Sequence, residues 1–326
     1  MPMTNFTYGV TSFGIPMVGG GMPIPVPGNV YWVHPASGNA SDGNAGTDPL
    51  RPLETLSRAH TMMTANQNDI AIVIGNSSAT AGNVVTEASS LAWSKSLCHI
   101  IGTAHNRVAH RVSLRGTAPT NLWAVSAQGC VFANFHVNSA NAGAVDEIAL
   151  AETGQRNSYY NMHITGMIDS TASGPFSRAG ARHITLTGDG ERFFKDCVIG
   201  NDTVARSAAN ANIGFLSAAV RDWFEDCMIL CGTGAATPVW INANASGAID
   251  RWIMFKRCQF FAQDALSGGT QLTQGLSVHA AAGGALILNE SHQWGAAKWE
   301  TTASTNVILN NVNAAATSGL QVANTN

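Results

Sequence analysis

The sequence is poor in charge. Only 11% of its 326 residues are Asp, Glu, Lys or Arg, against ~25% in common soluble domains, and none occurs before Asp42. The formal net charge is −3, and the one basic cluster, Arg107, His110, Arg111 and Arg115, reads as a solvated strand edge. A phosphate-tracking surface needs a clustered basic face, so no nucleic-acid partner is expected. Long apolar runs are missing too. No stretch approaches the ~20 residues that span a bilayer, and the N-terminus lacks the basic-then-apolar pattern of a secretory signal. Neither a membrane partner nor export by that route is expected. Phosphate loop, dinucleotide fingerprint and nucleophile elbow are also absent, and no cofactor is expected.

What the chain does have is a phrase written three times: FFKDCVI (193–199), WFEDCMI (223–229) and MFKRCQF (254–260). Its cysteines, Cys197, Cys227 and Cys258, lie 30 and 31 residues apart. A fixed interval of this size marks stacked structural repeats. Weaker copies occur at NFHV (134–137), NMHI (161–164), LCHI (97–100), ESHQ (290–293) and NVNA (311–314). Each copy reads as a short strand, a polar bend and a second short strand. The bend is carried by Asn134, Asn161, Asp196, Asp226, Arg257, Glu290 and Asn311; Asn and Asp suit it because they tolerate left-handed backbone geometry. Strand-length runs such as IAIVI (70–74), HITLT (183–187) and ALILN (285–289) are joined by Gly, Asn, Ser and Ala loops. The expected fold is all-β, a single-stranded parallel β-helix, preferred over a sandwich, which would turn every 8–12 residues. Equivalent positions would make Cys197, Cys227 and Cys258 a buried column of reduced thiols.

Two further segments complete the organisation. Residues 1–33 form an extended apolar arm with five prolines by position 27, and residues 34–326 form the body. Pro removes donors and Gly loosens the backbone, so the arm is neither ordinary helix nor interior strand. Its Tyr8, Phe13, Ile15, Met17, Val18, Met22 and Ile24 are candidates to pack on a partner or on the chain's own body. Leu53, Leu56, His60 and Met63 predict a helix over 52–65 that caps the open end of the stack.

The arm YGVTSFGIPMVGG (8–20), the following GNVYWVHPASGNASDGNAGTDPLRPLETL and the Asp69-led strand IAIVIG carry a resemblance. The helix-then-strand order is similar to the start of right-handed parallel β-helix proteins of the pectate-lyase-like group. The arm more specifically resembles a set of tailed-phage virion proteins. The likeness covers about residues 8–80; Gly75-Asn76 stands where that set leads one to expect Gly-His. It implies a right-handed solenoid and a particle-bound homotrimer contacting the major capsid protein or another virion protein.

The functional expectation is therefore a non-enzymatic virion structural protein, a capsid decoration or head fibre. Trp223, Trp240, Trp252 and Trp294 are its outward interface candidates. The alternatives are a tailspike-like polysaccharide depolymerase and a glycan-binding adhesin meeting a host-surface glycan. Asp196 and Asp226, one turn apart at about 4.8 Å, are the catalytic candidates for the depolymerase only. As bend residues flanked by Asn161 and Arg257 they also read as structural. Asp146, Glu147 and Glu152 could line a groove wall. No metal site is expected. Cys227 and Cys231 lack a second pair, Asp42, Asn44 and Asp48 read as a solvated turn, and His99, His136, His163 and His292 read as stacked outer-face imidazoles.

Overall fold

The structure, a computed structural model, describes residues 28–75, 84–103, 112–116, 120–171, 173–266, 268–301 and 305–313, together with three short backbone strands before them. The body is a parallel β-helix. Its strands fall into sheets of ten, eight and seven strands, and in each the neighbours are successive turns of the chain. Seven turns place a strand in all three sheets. The strands are short because each corner costs the chain a bend, and β-branched and aromatic residues supply the inward positions.

The repeated phrase marks the corner between the ten- and eight-stranded sheets. Asn134, Asn161, Asp196, Asp226, Arg257, Glu290 and Asn311 have φ between 48° and 59°, in the left-handed region. The next residue turns inward. Cys197, Cys227 and Cys258 are vertical neighbours, with Met228 N–H donating to Cys197 O at 2.8 Å and Gln259 N–H to Cys227 O at 2.9 Å. All six cysteines are free and buried. Beside the column, Tyr159, Phe194, Phe224 and Phe255 stack face to face at 4.4, 4.6 and 4.4 Å between centroids.

One copy of the phrase was misplaced. LCHI turns a different corner, between the seven- and ten-stranded sheets: Leu97 holds φ of 53°, and Cys98 opens the strand Cys98–Gly102, pairs with Asp69, and shares its register position with Cys130. His99 therefore leaves the histidine series, and its Nδ1 accepts from Val131 N–H at 3.0 Å.

The capping helix is shorter than expected, Leu56–Met62. Thr55 stops it at the front by accepting from Arg58 N–H, and Asp42 holds the preceding backbone by accepting from Glu54 and Thr55 N–H at 2.9 and 3.0 Å. Leu56, Ala59 and Met63 enter the core, in the place where the first turn has no strands for the other two sheets. The body also starts earlier than expected. Val30–Val33 pairs with Ile70–Val73 as the edge strand of the ten-stranded sheet, so the boundary at 33/34 leaves a strand of the body in the arm. Within the arm, Thr11–Ser12, Ile15–Val18 and Met22–Pro23 pair antiparallel. Tyr8, Phe13 and Ile24 lie outside the described residues, as do the side chains of Ile15, Met17, Val18 and Met22.

Candidate functional site

The bend column carries a charged ridge. Arg257 Nε lies 2.8 Å from Asp226 Oδ1, its Nη2 lies 2.5 Å from Glu225 Oε1, and Lys195 Nζ is 3.2 Å from both carboxylates. The Arg257 hydrogen bond holds Asp226 below the usual carboxylate range. For Glu225, partial burial works against ionisation, but Arg257 and Lys195 outweigh it and its pKa is also lowered. A retaining pair needs one carboxyl that keeps its proton at working pH. Asp226, bound by Arg257 and Lys195, is not that group.

The acidic loop residues also go elsewhere. Glu147 and Glu152 are fully buried, and Asp146 alone stays outside, 3.9 Å from Arg178. Arg192, itself 1% exposed, sits 3.8 Å from Glu152 and 3.1 Å from Asp222, inside the barrel. Burial pushes Glu152 up to about 7 and Asp222 up to about 6, against the pull of Arg192. Perturbed carboxylates often mark active sites. These are sealed from solvent and brace the core.

His136 and His163 stack at 4.4 Å and 10° on the eight-stranded sheet, and His292 shares their register column. Among the described residues, no group of three or more His, Cys, Asp or Glu could hold a metal ion.

Of the four tryptophans, Trp223, Trp252 and Trp294 are half-buried, but Trp240 has no exposed surface and donates Nε1–H to Phe261 O at 3.2 Å. Its outward assignment is corrected: the ring lies under the chain, and a Cβ on Gly275 would stand 2.5 Å from it. Tyr160, Phe193, Trp223 and Trp252 run edge to face along the outside of the ten-stranded sheet at 5.9, 6.2 and 6.4 Å.

Trp240 supports the floor of a groove that the sequence did not announce. On the outer face of the seven-stranded sheet, Asn242 of Val239–Ala243 pairs in register with Ser277 of Leu276–Val278. Around them Ala209, Ala236, Thr237, Val239, Asn244, Thr273, Gln274 and Thr301 enclose about 450 Å³. A contiguous recess of about 170 Å³ adds Leu276, Val278 and Glu300. The far wall stands where an eighth strand would pair. Leu276 N–H donates to Trp299 O at 2.8 Å, and Gln274 Oε1 accepts from Thr301 N–H and Oγ1–H at 2.9 and 2.6 Å. Trp299 anchors this wall, buried edge-on against Phe260 at 5.4 Å. The polar part of the lining is amide and hydroxyl with one carboxylate, beside the apolar Ala209, Ala236, Val239, Leu276 and Val278, which suits a ligand that carries hydroxyl groups on an apolar ring. Glu300 is the lining group able to move a proton.

No protein-family model matches the sequence, and no curated protein matches it. Solved structures do. Pectate lyase Pel9A is similar over 88% of this chain and 71% of its own, with TM-score 0.60 and 12% identity. The pectin methylesterase of Aspergillus niger is similar over 90% of this chain and 89% of its own, at 0.54 and 14%. Carrot pectin methylesterase is similar over 90% and 85%, at 0.51 and 12%. The chain shares the right-handed parallel β-helix of these proteins; at this identity the likeness shows the fold alone. The expectation of a non-enzymatic chain is overturned here, because these structures of the same fold are enzymes by name. That expectation rests on the likeness of residues 8–80 to virion proteins and on the structural reading of the bend-column carboxylates, which lie at the corner between the ten- and eight-stranded sheets.

Proposed function

We propose that this chain is a polysaccharide-acting β-helix protein of the tailspike kind. The groove over Asn242 and Ser277 binds the glycan, and Glu300 acts on it. The observation that carries this reading is the lining itself: neutral hydrogen-bonding side chains presented one turn after another along a strand ladder, with a carboxylate at one end. The pectin-acting enzymes of the same fold support it. The resemblance of residues 8–80 to tailed-phage virion proteins supports the setting, a homotrimer on the particle surface. In that setting the arm meets the major capsid protein or another virion protein, and Trp223, Trp252 and Trp294 face sister subunits.

The test is incubation with a panel of bacterial surface polysaccharides, reading chain length by size exclusion and new reducing ends. Chain shortening lost in Glu300→Gln is the expected result. Binding without shortening would favour a glycan-binding adhesin, and neither binding nor shortening across the panel would sink the proposal. Particle attachment is tested separately, by deleting residues 1–27 and measuring incorporation.

A further inference from the structure

We infer that the groove continues one turn past Asn242, over Gly214, and that Arg182 stands at this end to bind an anionic group of the glycan, a carboxylate or a phosphate. This rests on the proposal that the groove is the glycan site. The floor is a ladder: Thr185, Gly214, Asn242 and Ser277 pair in register across four successive turns. Gly214 leaves a gap in it. Arg182 lies across the gap, and a Cβ on Gly214 would stand 3.1 Å from Arg182 Nε. The guanidinium, on a side chain 8% exposed, makes both of its hydrogen bonds through Nη1, to the carbonyls of Ala179 and Ala181 at 2.7 Å each. Nε is buried without a partner.

A guanidinium has five N–H donors in a planar fork, no acceptor, and a charge it does not give up. Carboxylate and phosphate oxygens match that fork, and their bonds to it are about twice as strong as neutral ones. Among the described residues no carboxylate pairs with Arg182. Asp146, the acid whose charge reaches it, accepts from Gly180 N–H at 3.1 Å and lies 3.9 Å from Arg178.

A second cation stands behind the groove wall. Arg206, 1% exposed, donates from Nη2 to the carbonyl of the lining residue Val239 at 3.4 Å and to Asn212 Oδ1 at 2.9 Å. Its Nε and Nη2 also donate to Cys231 Sγ, and its Nη1 is buried without a partner. None of these acceptors is a carboxylate. Burial first, and the charge of Arg206 second, push Arg182 down to about 10, which leaves it a cation at neutral pH. Two buried guanidinia with no carboxylate between them make this end of the groove positive. An arriving anion is attracted by both, more strongly as it displaces water. The acid of the adjoining recess, Glu300, lies at the other end, past Ser277. A bound chain thus sets its anionic substituent at Arg182 and its hydroxyls over Asn242 and Ser277.

The experiment is a binding series at low and high salt on three sets: neutral dextran, galactan and mannan; carboxylated hyaluronate and polysialic acid; and a phosphodiester-linked teichoic acid. The expected result is binding to the carboxylated or the phosphorylated set tenfold or more tighter than to the neutral one, weakening as salt is raised. The two anionic sets tell which oxyanion is read. Arg182→Met should cost tenfold or more on the anionic ligand, and Arg182→Lys, which keeps the charge, should restore part of it. Should Arg182→Met fail to fold because the carbonyls of Ala179 and Ala181 lose their donor, Asn242→Asp serves instead. It sets a carboxylate one turn from Gly214 and should likewise cost tenfold or more on the anionic ligand, a loss that grows as salt is lowered. Neutral chains bound as tightly as anionic ones, or anionic binding indifferent to these variants, would overturn the inference and leave the glycan site standing. Binding of none of the three sets would overturn both.

Discussion

Arg257 reaches across one turn of the helix to Asp226, Nε to Oδ1 at 2.8 Å, and the same guanidinium holds Glu225. The ridge carboxylates are thus ionised and neutralised in place. Asp226→Asn is expected to leave polysaccharide turnover within about twofold of the unaltered protein, whereas Glu300→Gln should lose one hundredfold or more, the scale of a lost general acid or base. Equal losses in the two variants would move the chemistry to the ridge.

Inside the barrel, Arg192 offsets two carboxylates that have no water to turn to. Replacing it by Met strands them, and breaking a buried pair from one side costs about 3–5 kcal/mol. Denaturant melts of Arg192→Met should show a loss of that order. A melt unchanged from the parent would mean that the cluster is held by other contacts.

Acid should weaken the fold through His99. Burial lowers its pKa from 6.5 to about 4, and Nδ1 is occupied as an acceptor from Val131 N–H. Below pH 6.5 the unfolded chain takes up a proton that the native imidazole refuses. The stabilisation is therefore full above that pH and lost as pH falls towards 4, at most about 3 kcal/mol. Thermal melts between pH 7 and 4 should fall less steeply for His99→Gln than for the parent. The comparison separates His99 from Glu152, whose raised pKa works the other way over this window.

The bend column gives a stabilising substitution. Glu290 holds φ of 53°, a conformation costing most L-residues about 1–2 kcal/mol and Asn less. Glu290→Asn should raise the melting temperature, and a drop would show that the Glu290 side chain matters more than its backbone.

The thiols supply the last check. Burial pushes Cys98 up to about 11 and Cys130 up to about 12, and Cys197 and Cys258 well above the usual thiol range. A thiol that stays protonated and out of solvent does not react. Ellman's reagent should find none of the six in the native protein and all six after denaturation. Fast native labelling would contradict the column.

The sequence by itself determined the solenoid. An interval of about thirty residues and a left-handed bend residue followed by one that turns inward, a thiol at Cys197, Cys227 and Cys258, are local requirements that recur because each rung must match the one below it. Local pattern also misled where two corners look alike, as with Cys98, and where a tryptophan's facing depends on what lies above it, as with Trp240. The groove was decided only by the tertiary structure. Ala209, Asn242, Gln274 and Glu300 come from four separate stretches of chain and have no shared spacing. They meet because the helix stacks Asn242 on Ser277 and the segment ending in Trp299 and Glu300 folds back where the seven-stranded sheet runs out. Neutral side chains brought together from such distances leave no mark in the linear order of residues.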